Sequence, residues 1–201
     1  MERSQLILRE NKDSDFWLGR DKTLQGKNWT EQILDLNKID AAMTTDSDLI
    51  SLIKDLDSRK RMYNGNNRLI GTSEKKRVLD EITGVREPWR GENLDAYFFN
   101  LNGQWYKEAD HRVKNGTIKA TKVYEIQPLM KDGFTSFKYF DDHKIFTTLE
   151  GKEVYYFYPR GETVAWFYAS SVRAGLGCDG NPNGSSSALG VRAKFLGLPE
   201  K

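Results

Sequence analysis

The chain has one cysteine, two histidines and five prolines among its 201 residues. A single thiol cannot close an internal disulfide or build a cysteine-ligated zinc site. Charge of one sign is also lacking: 31 Lys and Arg face 29 Asp and Glu, for a net +2. That balance gives no overall drive toward nucleic acid or an anionic membrane. No apolar run approaches the roughly 18 residues of a membrane span. The start, Met1-Glu2-Arg3-Ser4-Gln5, carries no apolar signal-peptide core. Aromatic residues, by contrast, are plentiful. Five Trp, nine Tyr and ten Phe can fill a large core and exclude a disordered tail. The length suits a single domain over residues 1–201.

Gln5–Glu10 is short and apolar and is expected to be a strand. Asp13–Lys27 mixes charge and glycine and reads as a loop with one buried anchor, Phe16-Trp17-Leu18. Asn28 can cap a helix, with Glu31 three residues on to complete a capping box. Ile33, Leu34, Leu36, Ile39 and Ala42 follow at helical spacing. A second start lies at Thr45–Asp48, backed by the stripe Leu49, Ile50, Leu52, Ile53 and Leu56. Two amphipathic helices therefore occupy roughly residues 29–61. From about residue 68, short β-branched and aromatic runs alternate with turn residues. Ala96–Phe99, Gln104–Tyr106, Lys122–Ile126 and Val154–Tyr158 read as strands. Asn102-Gly103, Asn115-Gly116 and Asp132-Gly133 read as turns. Leu189–Phe195 suits a final strand, and an apolar strand at each end predicts that the termini pair. Strands do not alternate with helices, so the class is α+β.

One segment departs from the rest. Residues 167–187 contain no Lys, Glu, Gln, Met or Trp. These types make up about a fifth of an ordinary protein, so about four would be expected in a stretch of this length. A flexible Gly/Ser linker would show such a bias. However, Phe167, Ala169, Ala174, Leu176, Pro182, Ala188 and Leu189 are threaded through the polar residues, which suggests a backbone held by small apolar anchors.

Tyr155-Tyr156-x-Tyr158-Pro159-Arg160-Gly161 is followed by Val164-Ala165-x-Phe167-x-Ala169-x-Ser171 and then by Ala174-x-Leu176-x-Cys178. Pro182 and Leu189-Gly190-Val191-Arg192-Ala193 complete the pattern. It resembles the C-terminal variable region of the variable proteins of diversity-generating retroelements, in the branch found in archaea and their viruses. Upstream, Glu87-Pro88-Trp89-Arg90-Gly91-Glu92-x-Leu94-Asp95-Ala96 and Gly103-Gln104-Trp105-Tyr106 are similar to that branch too. In that family a reverse transcriptase scrambles the adenines of a template repeat. Asparagine codons then change to many others, but never to codons for Lys, Glu, Gln, Met or Trp. Those are the types missing from 167–187.

The resemblance implies a C-type lectin-like fold with two N-terminal helices, paired terminal strands and long irregular loops. It implies a non-enzymatic protein that binds a protein or cell-surface ligand, located on a virion tail or a cell surface, as an oligomer or attached to a viral tail. Neither nucleic acid nor membrane insertion is expected, and no cofactor. Randomised core positions would cost roughly 2–5 kcal/mol each, exposed ones usually less than about 0.5. Phe167, Ala169, Ala174, Leu176, Pro182, Leu189, Gly190, Val191 and Arg192 are therefore assigned to the scaffold. Tyr168, Ser170, Val172, Gly175, Gly177, Asp179, Gly180, Asn181, Asn183, Gly184 and Ser186 are assigned to the displayed ligand-binding surface, with Tyr168 its one large anchor. Arg173 and Ser187 fit either group.

The remaining chemistry is sparse. His111 and His143 read as surface histidines. Cys178 reads as a semi-buried small apolar residue. Asp132, Asp141 and Asp142 form no EF-hand loop. Lys75-Lys76-Arg77 reads as a solvated helix face, and the aromatic wealth as core filling. An alternative on the same fold is an enzyme similar to formylglycine-generating or sulfatase-modifying proteins. It would need reactive cysteines, and one thiol fits it poorly. A structural subunit of a viral tail is a further alternative.

Overall fold

The computed structural model describes residues 6–8 and 16–197. In chain order it begins with strands β1 (Leu6–Leu8) and β2 (Trp17–Gly19), helix α1 (Trp29–Asn37), β3 (Ala42–Met43) and α2 (Asp46–Asp57). Next come β4 (Tyr63–Asn64), α3 (Thr72–Thr83), β5 (Arg90–Leu101), β6 (Gln104–Ala109), β7 (Arg112–Lys114) and β8 (Thr117–Lys119). They are followed by β9 (Lys122–Ile126), β10 (Gly133–Thr135), β11 (Phe140–Asp141), β12 (Ile145–Phe146) and β13 (Val154–Phe157). The chain closes with β14 (Thr163–Ala169), β15 (Ala174–Gly180), β16 (Leu189–Val191) and β17 (Ala193–Phe195). The class is α+β.

The two expected helices form where the caps lie. The Asn28 side chain accepts from Glu31 N at 2.9 Å, and Glu31 Oε2 accepts from Asn28 N at 2.9 Å. Thr45 and Asp48 repeat this capping box on α2. The first helix is shorter than its apolar spacing suggests: Ile39 is 54% exposed and Ala42 belongs to β3. A third helix, α3, carries the expected helix face Lys75–Arg77, but nothing local marks where it starts. Its N-cap is Gly71, which offers no side-chain bond, so the usual start signal is missing.

The larger sheet runs β10-β13-β15-β14-β5-β6-β9, with β16 parallel to β5. Asn102-Gly103 and Asn115-Gly116 turn the β5–β6 and β7–β8 hairpins with positive φ at both residues, as a two-residue hairpin loop requires. Asp132-Gly133 makes no such turn; Gly133 starts β10. The smaller sheet runs β3-β17-β2-β1-β4. The terminal strands share this sheet but do not pair directly. Residues 17–19, expected in a loop, form β2 and lie between them. Gln5, Arg9 and Glu10 of the expected first strand, and Asp13–Asp15 of the expected loop, lie outside the described residues. The single closing strand is in fact two, β16 and β17, in different sheets. Arg192, at the break, is 1% exposed and sends its guanidinium to Glu92 at 3.1 and 3.2 Å.

Helices α2 and α3 pack on one face of the larger sheet. Leu49, Leu52, Ile53, Val78 and Ile82 share a core with Ala96, Phe98, Val154, Tyr156, Phe167 and Leu176. A second core gathers Trp17, Trp29, Ile33, Leu36, Val164, Val191 and Phe195. At the start of α2, Asp46 pairs with Lys107 at 3.1 Å, both 1% exposed. Asp48 pairs with Lys194 at 2.7 Å. These contacts tie the helix to β6 and β17. Removing one partner of the buried pair would strand the other charge, at a cost of roughly 3–5 kcal/mol.

Candidate ligand-binding face

The compositionally unusual segment folds as a hairpin followed by a pinned loop. Strands β14 and β15 pair antiparallel through the turn Ser170–Arg173, closed by Ser170 N donating to Arg173 O at 3.0 Å. Ser170 Oγ also accepts from the amides of Val172 and Arg173, both at 3.3 Å. Val172, at the tip, is 77% exposed. The loop after β15 is held by its backbone: Pro182 O accepts from Trp29 N at 3.2 Å and Ser186 O from Gly26 N at 3.0 Å. Trp29 N is one of the first-turn amides a helix leaves unpaired, so the loop caps α1.

Strand alternation divides the hairpin into two faces. Phe167, Ala169, Ala174, Leu176 and Cys178 turn into the core and are buried. Trp166, Tyr168, Gly175 and Gly177 turn the other way. The two glycines leave space that neighbouring rings occupy. A Cβ on Gly175 would stand 2.6 Å from Tyr168 Cζ, and one on Gly177 2.7 Å from Trp166 Cε2. Both rings therefore lean over β15.

The result is a continuous file of aromatic rings across four strands. Ring centroids are 5.0 Å apart for Phe134–Tyr155, 4.9 Å for Tyr155–Phe157 and 6.3 Å for Phe157–Tyr168. They are 4.8 Å apart for Tyr168–Trp166 and 6.4 Å for Trp166–Trp89. Phe134 and Trp89, at the two ends, are 42% and 38% exposed. The Arg173 guanidinium lies 3.9 Å from the Tyr155 ring centroid and donates through Nε to Tyr168 Oη at 3.1 Å. Asp179 Oδ1 accepts from Trp166 Nε1 at 3.3 Å. Burial pushes the Tyr168 phenol up, and Arg173 partly counters it.

The positions assigned to a displayed surface thus fall into two groups. Val172, Asn181 and Asn183 are exposed, and Ser170, Asp179, Gly180, Gly184 and Ser186 are half-buried. Tyr168, Gly175 and Gly177 are buried, contrary to expectation. Tyr168 keeps only 8% exposure because its ring covers Gly175 and bonds Arg173. Of the scaffold group, Phe167, Ala169, Ala174, Leu176, Gly190, Val191 and Arg192 are buried, while Pro182 and Leu189 are half-buried. Arg173 belongs with the aromatic file; Ser187 is exposed.

Trp89, Phe134, Tyr155, Phe157 and Trp166 were missed as site residues. A signal was present: Tyr155-Tyr156-Phe157 and Trp166-Phe167-Tyr168 place aromatics at both parities of a strand. One parity must then leave the core. Core filling accounts for Tyr156 and Phe167 but not for their neighbours.

Elsewhere, His111 is buried rather than superficial. Its Nδ1 lies 2.5 Å from Asp95 Oδ1, and its backbone N–H donates to Asp95 Oδ2 at 2.8 Å. Burial pushes the Asp95 carboxyl up, and the His111 hydrogen bonds oppose this. The ring packs edge-on against Trp29 at 4.9 Å. It helps line a cavity of about 460 Å³ in which no serine, threonine or cysteine stands among the described residues. His143 is exposed. Cys178 is fully buried, and burial pushes its thiol well up, which keeps it protonated and unreactive. Among the described residues, no group of three or more His, Cys, Asp or Glu is placed to hold a metal. None of the helices there is long and apolar enough to cross a membrane.

No protein-family model, curated protein or solved structure matches the chain.

Proposed function

We propose that this chain is a non-enzymatic ligand-display protein of the retroelement-diversified type, with a C-type lectin-like organisation. It would bind a protein or cell-surface target from a virion tail or a cell surface. One observation carries the reading. The segment that lacks Lys, Glu, Gln, Met and Trp coincides with a hairpin and loop whose inward residues are core and whose outward residues share one face. Scrambling the exposed and half-buried positions of that face leaves the core intact. The file of rings beside it supplies Trp, Tyr and Arg, the types that dominate interface hot spots. The enzyme alternative needs a reachable thiol, and Cys178 is sealed in the core.

The test is to build a library randomised at Ser170, Val172, Asp179, Asn181 and Asn183 and to display it on phage. Selection against an immobilised model protein such as lysozyme should yield folded binders that differ only at these positions. Failure to recover any folded binder would count against the reading.

A further inference from the structure

A second surface lies on the helical side of the larger sheet, away from the aromatic file. Helix α2 ends at Asp57, and the chain then passes through Arg59-Lys60-Arg61 before α3 begins at Thr72. Lys75, in the first turns of α3, donates through Nζ to Ser58 O at 2.7 Å and to Lys60 O at 3.1 Å. This clamp brings the basic run 59–61 against the basic run 75–76. Lys60 is held by Asp55 at 2.7 Å. Arg59, Arg61 and Lys76 are exposed and pair with no carboxylate among the described residues.

The two runs rim a cavity of about 620 Å³, within the usual range for a ligand pocket. Its floor is apolar. Leu56 and Ile70 are buried, Leu79 is half-buried, and Leu69 stands 61% exposed at the rim. Among the described residues the lining carries five cations, Arg59, Lys60, Arg61, Lys75 and Lys76, against the two carboxylates Asp57 and Asp80. The chain as a whole is almost neutral, so this excess is local.

We propose that the cleft docks an acidic peptide segment of a partner protein, with an apolar side chain of that segment seated on the leucine and isoleucine floor. Three features favour a peptide. The apolar surface is recessed, so it fits an inserting side chain; a bilayer would need protruding apolar residues, and among the described lining residues Leu69 alone protrudes. Among the described residues the lining contains no aromatic ring on which a base could stack. The unpaired cations stand around the floor, as charge complementarity to an acidic flank requires. The cleft lies opposite the aromatic file, so both could be occupied together. It would serve as the attachment point of a displayed protein, but the proposal stands on the cleft alone.

The probe is a fluorescein-labelled peptide of repeated Glu-Glu-Leu, titrated by anisotropy in low and physiological salt. We expect binding that weakens with salt. The double variant Arg61→Glu, Lys76→Glu should lose at least about tenfold in affinity, equivalent to about 1.4 kcal/mol. Leu69→Ser should lose a few-fold. Lys144→Glu, Lys152→Glu changes the net charge equally on exposed residues outside the cleft and should bind as the parent does. Circular dichroism on each variant reports folding. The proposal is overturned if the parent does not bind the probe, or if both double variants bind alike. It is also overturned if Leu-to-Gly replacement in the peptide has no effect, or if phosphatidylglycerol vesicles or single-stranded DNA bind more tightly through the same residues. None of these readouts depends on the variable face.

Discussion

The two faces of the β14–β15 hairpin are built from the same strands and differ in how each position depends on its neighbours. On the inner face every residue touches a fixed core, and its size is set by that core. On the outer face Gly175 and Gly177 have no side chain, and their space is filled from the next strand by Tyr168 and Trp166. The inner face is constrained position by position. The outer face is constrained in pairs: what stands at 175 decides where the ring at 168 lies. A surface of this kind can change shape by more than the side chain that is replaced.

The largest effect should come from the inner face. Leu176→Ala removes a fully buried side chain and should cost about 2–5 kcal/mol in urea denaturation. A cost below about 1 kcal/mol would mean that the inner face is not packed as described. On the outer face, Gly175→Val should cost about 1–3 kcal/mol by overpacking. In a Tyr168→Ala background the same change should be nearly neutral. The double-mutant cycle should therefore show coupling within the roughly 0.5–3 kcal/mol seen for residues in contact. Additive costs would break the comparison.

Cys178 sharpens the inner side of it. The thiol should resist Ellman's reagent in the native protein and react fully in guanidinium; rapid native labelling would show that the hairpin opens. The smallest effect belongs to the outward tips. Val172→Ser, Asn181→Ser and Asn183→Ser, singly, should each change stability by less than about 0.5 kcal/mol.

Much of the fold could be read from local signals. The capping boxes at Asn28 and Thr45 announced α1 and α2, and the Asn-Gly pairs announced two turns. Features that depend on distant partners could not be read. Helix α3 starts at Gly71 without a capping side chain, and β2 is a three-residue strand whose pairing lies in both neighbours. The core side of the candidate site was visible in the alternation of Phe167, Ala169, Ala174 and Leu176. Its outer side was only half visible. That Tyr168 is buried follows from a glycine on the adjacent strand, which no spacing within β14 reveals. His111 was misread for the same reason, since Asp95 is 16 residues away. The basic cleft needed the Lys75 clamp to bring its two runs together.

The central claim is that residues 167–187 form a face diversified through adenines. The most direct measurement is the DNA sequence flanking the gene. The claim predicts a template repeat that matches the 3′ end of the gene except at adenines, beside a reverse transcriptase gene. The mismatches should fall on outward codons such as those of Ser170, Val172, Gly175, Asp179 and Asn181, sparing Phe167, Ala169 and Leu176. Absence of a repeat, or mismatches concentrated on the inward codons, would contradict it.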